Sequence, residues 1–469
     1  MNWKTILKSL KNRDMLKRVA IVFGIIVAYR LLAHIPVPLT QPTQLKEVVN
    51  SIINSSDFGG FLNLLTGGAL TSFSIVLVGL SPFITSSIIT QLLTKAIPKL
   101  EELHKDGESG RRKINQWTRM ISVPLAVIQS TAFVFILRQT VLANTTVATN
   151  PSLFSWIVAV SAMSAGSILL MWLGELITEQ GISNGISLII FAGIISQMPK
   201  IMVTLGQAVF DTSKGSMDVF GWFTIPVNGL SLSVAVALIV ASLIILYILV
   251  KVNEAQRVLT INYAKRVQGN SNYGGIKSIL PVKLISANVI PIIFAVSFLS
   301  LPAFVGQIIK ATNNPSFQAL ASNLILWFKA PSPGSFTGSS LQAFIYPAVY
   351  FILVILFTYF YTGIIFNSNE IAENLQKQGG FIEGIRPGKQ TEDYLTRTVN
   401  RLTLFGSLTL GAIAVMPFIA EYLMYNIAGI TGSKLSIGGT GMLIVVAVAL
   451  ESLRQINSRA LMVTYDDYK

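Results

Sequence analysis

Apolar stretches about as long as a bilayer is thick recur along the whole chain. A membrane-spanning helix needs about 20 predominantly apolar residues, and such stretches follow one another with short polar segments between them. We predict ten spans, near residues 18–35, 73–97, 117–138, 152–177, 185–209, 229–250, 282–308, 340–366, 400–425 and 438–457. The first follows a basic segment, as in a signal peptide, but no small-residue cleavage site comes after it, so we interpret it as a permanent anchor.

The composition agrees with this pattern. Hydrophobic residues make up 52% of the 469 residues and charged residues 12%, whereas an average soluble protein has about 25% charged residues. A water-soluble globule is therefore excluded. The chain has no Cys, which excludes a disulfide scaffold and a thiolate metal site. We expect an all-α polytopic membrane protein.

Basic residues are concentrated in alternate segments between the predicted spans. If the N-terminus is inside, all Lys and Arg residues fall on the inner side except Arg30, Lys46, Arg138, Lys200, Lys214, Lys310, Lys329 and Lys434. Loops rich in Lys and Arg remain in the cytoplasm. The sequence therefore predicts that both termini are cytoplasmic.

Two cytoplasmic segments, about residues 251–283 and 367–401, are longer than the topology needs. Long loops are usually functional or disordered. Glycine turns and the aromatic residues Tyr263, Tyr273 and Phe381 favour ordered hairpins that serve as docking surfaces. The alternative is that these segments carry charge only to set the topology.

A short apolar segment between the first and second spans is bracketed by Gly59-Gly60 and Gly67-Gly68. Its central residues, 61–66, would reach only about 9 Å as a helix, and the hydrocarbon core is about 30 Å thick. The segment therefore cannot span the membrane. It is either a re-entrant half-helix, which would need surrounding protein or an aqueous cavity, or an interfacial loop on the outer surface.

Prolines interrupt two predicted spans at corresponding places, Pro82 in the second and Pro291 in the seventh. Matching interruptions point to a midplane site in repeat-built transporters. Ionisable residues in spans are functional candidates. Those of this chain all lie near interfaces: Arg30, His34, Glu175, Glu179, Glu421 and Glu451. Because the sequence also lacks HExxH, GxSxG and GxxxxGK[ST] motifs, we expect no enzymatic activity, no metal and no cofactor.

Four motifs make the chain similar to a known family. They are ESGRRKI at 108–114, MWLGELITE at 171–179, GISNGISLIIFAG at 181–193 and GIRPG at 384–388. They resemble SecY, the channel-forming family of the bacterial Sec translocon, and the resemblance runs in order from the first span to the tenth. It implies two inverted five-helix halves, 18–209 and 229–457, with a cytoplasmic N-terminal segment, 1–17, and a cytoplasmic tail, 458–469.

The resemblance also implies the parts of a channel. The glycine-bracketed segment, about 58–70, corresponds to a re-entrant plug half-helix that contains Phe61, Leu62, Asn63, Leu64, Leu65, Thr66, Gly67 and Gly68. The constricting pore ring matches six aliphatic residues, Leu80, Ile84, Ile186, Ile190, Ile293 and Ile444. A lateral gate between spans two and seven has the candidate polar residues Thr85, Ser86, Ser87, Gln91, Ser286 and Asn288.

The partners implied by the resemblance act mainly on the cytoplasmic side. The two long loops would bind the SecA motor ATPase and the ribosome through Lys265, Arg266, Arg386 and Lys389. Asn270-Ser271 stands where many members have two arginines. We therefore expect weaker binding to ribosomal RNA, because each lost contact with a phosphate group lowers the binding affinity. The other implied partners are the small membrane subunits SecE and SecG, signal sequences with their preproteins, and membrane lipids.

The expected function is that of a channel in the bacterial plasma membrane. It would pass unfolded, signal-bearing preproteins across the membrane and release transmembrane helices into lipid, driven by SecA or the ribosome. The alternative is an inverted-repeat secondary solute transporter. The aliphatic ring distinguishes the two, because a transporter would place polar or ionisable ligands at the midplane.

Overall fold

The chain is mostly helical in the part that the structure describes. The computed structural model describes residues 13–38, 72–142, 153–210, 217–219, 223–225, 229–263, 266–268, 271–273, 277–285, 290–311, 315–328, 331, 342–428 and 439–466. The helices are α1 (Arg13–Leu32), α2 (Ser81–Ala96), α3 (Pro98–Lys105), α4 (Glu108–Leu142), α5 (Leu153–Gln180), α6 (Gly185–Val209), α7 (Gly229–Glu254), α8 (Ile290–Ala311), α9 (Pro315–Phe328), α10 (Gln342–Ile365), α11 (Ser368–Lys377), α12 (Lys389–Ala428) and α13 (Gly439–Asp466). The strands are β1 (Met217–Val219), β2 (Phe223–Ile225), β3 (Gln256–Tyr263), β4 (Arg266–Gln268), β5 (Ser271–Tyr273), β6 (Lys277–Lys283) and β7 (Gly380–Ile382).

Each predicted span overlaps one of these helices. Within the described ranges, five helices are long and apolar enough to cross a membrane, namely Glu108–Phe135, Leu153–Gln180, Ile290–Lys310, Phe344–Lys377 and Lys389–Met416. They correspond to the third, fourth, seventh, eighth and ninth predicted spans. The chain therefore has the helices of a multi-pass membrane protein, and the count of ten spans stays a prediction.

Pro82 lies in the first turn of a helix, so the prediction that it interrupts a span is wrong. The second span was expected from residue 73, but residues 72–80 form turns and α2 starts at Ser81. The seventh was expected from residue 282, but Val282 and Lys283 belong to strand β6; the described part of α8 starts at Ile290, and the effect of Pro291 on this span stays a prediction. Proline suits the first turn of a helix, because its missing N–H would have no partner there.

The two long segments that are predicted to be cytoplasmic form one small sheet, which the all-α expectation left out. Strand β3 lies in the middle and pairs antiparallel with both β6 and β7. Ile261 lies opposite Ser278 on one side and Ile382 on the other. A separate apolar cluster holds this sheet against the N-terminal part of α12, and its buried residues are Leu259, Val282, Ile382, Leu395 and Val399. The segments are thus ordered, and they are joined to each other.

One continuous apolar cluster occupies the centre of the helical part. Its buried residues come from early and late helices alike, for example Tyr29 of α1, Leu170 of α5, Ile292 of α8 and Ile413 of α12. Packing therefore unites helices from both ends of the sequence around a common core.

Candidate functional site

All six residues of the expected pore ring belong to the central apolar cluster. Leu80, Ile84, Ile190, Ile293 and Ile444 are buried members of it, and Ile186 is partly buried against it. They come from α2 and its N-terminal flank, α6, α8 and α13. The structure thus brings together aliphatic side chains that are as much as 364 positions apart in the chain, counted from Leu80 to Ile444.

The turn between α5 and α6 fixes the two ring residues of α6. Gly181 ends α5 in the left-handed region, with φ of 66°, which glycine adopts without steric penalty. The Asn184 side chain then accepts a hydrogen bond from the Ser187 N–H at 3.3 Å and caps the start of α6. The Gly185 N–H donates to the Thr178 hydroxyl at 2.9 Å. The glycine-rich motif therefore acts as a tight connector.

A cavity of about 360 Å³ adjoins the ring, and we call it the vestibule. Four ring residues line it, namely Ile84, Ile186, Ile190 and Ile293. Its walls come from α2, α4, α5, α6, α8 and α10, so it lies between early and late helices. Polar side chains of α2, including Ser87 and Gln91, also face it. The arrangement is a water-accessible chamber closed at one end by aliphatic residues.

The charged groups that line the vestibule come from α4 and the end of α5. The Arg119 Nε lies 2.5 Å from a Glu175 carboxylate oxygen, which joins α4 to α5. Glu179, one turn further along α5, lines the same cavity. The expectation that Glu175 and Glu179 lie near the interface agrees with their place in the last turns of α5.

A second cavity, of about 60 Å³, lies where α8 meets α2 and α4. Its polar lining residues are Ser81 of α2, Gln129 of α4 and Ser300 of α8. A polar cavity of this size has room for water. Sequence reasoning missed all three residues, although a Gln in the middle of an apolar span was a signal that could have identified them.

The structure describes the four expected lateral-gate residues of α2. Ser86 is fully buried, and its hydroxyl donates to the Thr118 carbonyl oxygen of α4, not to α8. Gln91 donates to the Ser87 hydroxyl at 3.1 Å, so these two form a pair on α2. Thr85, between them and the ring, is half-buried. Ser286 and Asn288 lie outside the described residues.

Some of the remaining expected site residues lie in the described ranges, and others lie outside them. Arg386 and Lys389 are exposed, and the buried Thr391 hydroxyl donates to the Arg386 carbonyl oxygen at 2.9 Å, which fixes the tip between Gly384 and Gly388. Arg266 lies in β4 at the end of the β3–β6 hairpin. Lys265 and the plug residues Phe61 to Gly68 lie outside the described residues.

Comparison with known proteins now identifies the family. The SecY family profile matches residues 74–453. This chain belongs to the SecY family. A similar relative, the Protein translocase subunit SecY of Mycobacterium tuberculosis, is 37% identical over 470 residues that cover 98% of each chain. The Protein translocase subunit SecY of Corynebacterium glutamicum is 38% identical with the same coverage.

Solved SecY-type structures share the fold. A protein-conducting channel superposes with a TM-score of 0.58 at 18% identity, covering 93% of this chain and 90% of that one. A SecY structure described for a plug domain that stabilises the closed channel gives a TM-score of 0.62 at 18% identity and the same coverage. Sec61 in a canine ribosome-channel complex gives 0.54 at 17% identity. At these identities the likeness concerns the fold alone.

The α5–α6 connector makes a testable prediction about this SecY-family fold. A Cβ at Gly185 would lie 1.7 Å from the Gly174 carbonyl oxygen, whereas one at Gly24 would meet nothing within 4 Å. We expect Gly185→Ala to destabilise the protein by about 2 kcal/mol or more, because backbone must move. Thermal unfolding of the purified protein in detergent, with Gly24→Ala as the matched control, measures this. Equal midpoints for the two variants would contradict the packing of α5 on α6.

Proposed function

We propose that this chain is the central subunit of a protein-conducting channel in the bacterial plasma membrane. It passes unfolded, signal-bearing preproteins across the membrane and releases transmembrane helices laterally into lipid. Ten spans form two inverted halves, 18–209 and 229–457, with both termini cytoplasmic and a plug at about 58–70. Membership of the SecY family and the likeness to solved channels support this proposal.

The observation that carries the proposal is that the six aliphatic residues proposed for the ring share one apolar cluster, and that four of them line a vestibule with polar residues in its walls. Branched aliphatic side chains offer an ion no replacement for its hydration shell, and a narrow apolar constriction gates by losing its water. The same side chains make no directional contacts that would select one polypeptide sequence over another. The ring therefore resists small ions and accepts chains of any composition.

A signal sequence supplies the free energy that opens the lateral gate. Moving its apolar side chains from water into lipid contributes about 0.8 kcal/mol for each buried CH₂ group. The seam between α8 and the pair α2 and α4 contains the small polar cavity at Ser81, Gln129 and Ser300. Hydrogen bonds between membrane helices average about 0.6 kcal/mol, so such a seam yields to an apolar helix. Ser81, Gln129 and Ser300 thereby join Thr85, Ser87 and Gln91 as gate residues.

Partners that supply energy dock on the cytoplasmic sheet. Its exposed basic tip presents Arg386 and Lys389, and Arg266 lies in β4. Lys265, the residue before Arg266 in the sequence, is a further proposed contact. SecA and the ribosome are the proposed partners, and Sec61 and yeast Ssh1 are similar channels in ribosome complexes. SecE and SecG are the proposed small membrane subunits. Exposed apolar side chains on α1 and α7, such as Phe23 and Leu243, suit contact with those subunits or with lipid.

The solute-transporter alternative is less well supported. A transporter needs ligands for a polar solute near the midplane, and the six residues proposed for the ring there are all aliphatic. The Glu175 carboxylate is already paired with Arg119 at the end of α5.

We predict that a polar substitution in the ring relaxes the selection of substrates. Ile293→Asn or Ile444→Asn adds an amide that holds water in the constriction, so the closed state loses stability. Preproteins with defective signal sequences should then cross reconstituted membranes, and the vesicles should leak ions. Ile293→Leu, which keeps the ring aliphatic, is the matched control. Unchanged dependence on the signal sequence in both Asn variants would contradict the ring assignment.

Cross-linking tests the lateral gate. The chain has no native Cys, so Ser81→Cys and Ser300→Cys provide two unique thiols that line one small cavity. A short bifunctional thiol reagent should join α2 to α8 and stop transport. Ser130→Cys with Ser164→Cys is the control, because those hydroxyls are 3.2 Å apart within α4 and α5. Full transport by the cross-linked Ser81 and Ser300 variant would place the seam elsewhere.

Charge reversal tests the docking tip. Arg386→Glu should lower SecA-driven transport about tenfold or more, because it replaces an attractive charge with a repulsive one at the contact. Arg397→Glu, a change of another exposed arginine on the adjacent helix α12, should have a small effect. Transport by reconstituted vesicles and the thermal midpoint are both measured. Normal transport with Arg386→Glu would remove this residue from the docking site.

A further inference from the structure

The root of the β3–β6 hairpin is a compact joint between helix and strand. Helix α7 ends at Glu254, and β3 begins at Gln256, which lies opposite Lys283 at the end of β6. The Leu284 N–H donates to the Ala255 carbonyl oxygen at 2.9 Å, which closes the joint. These few residues form one link between the hairpin and the membrane helices, and the apolar cluster against α12 forms the other.

Helices α12 and α13 hold the joint from two sides. On α12, the backbone of Leu284 approaches so closely that a Cβ at Gly406 would lie 2.4 Å from the Leu284 carbonyl oxygen. On α13, the Arg454 guanidinium donates to the Asn253 carbonyl oxygen at 2.9 Å. That oxygen belongs to the last turn of α7, where carbonyl groups have no partner within the helix. Arg454 therefore caps α7 from a neighbouring helix.

The joint also contains charges close to one another. Burial lowers the pKa of Lys283, the Arg454 charge lowers it further, and the Glu451 carboxylate opposes both. The neighbouring Asn253 side chain is 5% exposed, and its oxygen has no hydrogen-bond partner among the described residues. A buried acceptor without a donor is unfavourable. The joint thus has an acceptor that a shifted Arg454 or Lys283 could satisfy in a second arrangement.

Helix α13 connects this joint to the pore ring. Glu451 lies seven residues after Ile444, so the two share one face of the helix about 10 Å apart along its axis. The next residue, Ser452, donates to the Ser183 hydroxyl at 2.9 Å, in the connector between α5 and α6. Helix α13 therefore touches the hairpin root, one ring residue and the connector that holds two other ring residues.

We propose that Arg454 is a positioning residue that couples load on the cytoplasmic hairpin to the pore ring through α13. This inference rests on the proposed function, in which a motor ATPase pushes on that hairpin. When the hairpin moves, the Arg454 contact carries the movement to α13, which shifts Ile444 and, through Ser452 and Ser183, the start of α6. Without the contact, the motor binds but the ring does not respond.

The test uses the full chain, purified with its membrane partners and reconstituted in vesicles. Arg454→Ala, Arg454→Lys and the control Lys251→Ala, an exposed change near the end of α7, are compared with the unsubstituted chain. Three quantities are measured: SecA affinity, SecA-driven transport of a preprotein with an intact signal, and the thermal midpoint. The fourth variant combines Arg454→Ala with Ile293→Asn. The Ile293→Asn change is expected to open the ring without any movement of the hairpin.

We expect Arg454→Ala to lower transport about tenfold, a typical coupling between sites, with SecA affinity and thermal midpoint unchanged. Arg454→Lys should restore much of the transport, and adding Ile293→Asn should restore it as well, which a merely structural defect would not allow. Normal transport by Arg454→Ala would overturn the inference, as would a loss that follows the thermal midpoint and is not restored by Ile293→Asn. No transport by the unsubstituted chain would instead overturn the proposed function.

Discussion

The fold depends on one constraint: helices from both ends of the chain must bury their apolar faces against each other, and no polar group may lie at that contact. The ring residues Ile190 and Ile293 are buried in the central cluster, on helices α6 and α8. An apolar contact of this kind has no preferred direction and roughly depends on the area removed from water. It can therefore be broken and reformed around a passing chain. A hydrogen-bonded or ionic constriction would select its substrate instead.

The polar contacts agree with this constraint, because they are made by residues other than the six aliphatic ring residues. The Arg119–Glu175 pair joins two adjacent helices at the end of α5, and the Ser86 hydroxyl is satisfied by the Thr118 carbonyl oxygen within the same group of helices. The cytoplasmic sheet, with its own apolar cluster around Leu395, forms a rigid platform at the end of α12. The surfaces proposed for docking, gating and sealing are thus different from one another, and the contacts at the hairpin root are the proposed connection between them.

The positions of the helices could be predicted from sequence because a bilayer leaves little choice. Every backbone polar group in the hydrocarbon must be satisfied within the segment, so a long apolar run becomes a helix. The ring residues could be named because four motifs aligned the chain with a family, and the structure then places all six in one cluster. Their function in transport stays a proposal.

Other features depend on contacts that sequence patterns do not reveal. The pairing of Ile261 with Ile382 joins segments about 120 positions apart, and β7 has only three residues, too few for a recognisable alternation. Ser86 was placed at the seam because an apolar helix such as α2 gives little indication of which face meets which neighbour. Residues 73–80 are apolar and lengthen the predicted second span, but they form turns. The sequence therefore predicts that Pro82 lies inside a span, whereas the structure has it in the first turn of a helix.

Site-specific photocross-linking tests the central claim most directly. A photoreactive amino acid is placed in turn at positions 80, 190, 293 and 444, and a preprotein is arrested in mid-passage. The account predicts that all four positions cross-link to the arrested chain, while position 23 on the exposed face of α1 does not. Arrested chains that cross-link to none of the four, or as strongly to position 23, would contradict the aliphatic ring as the path of the polypeptide.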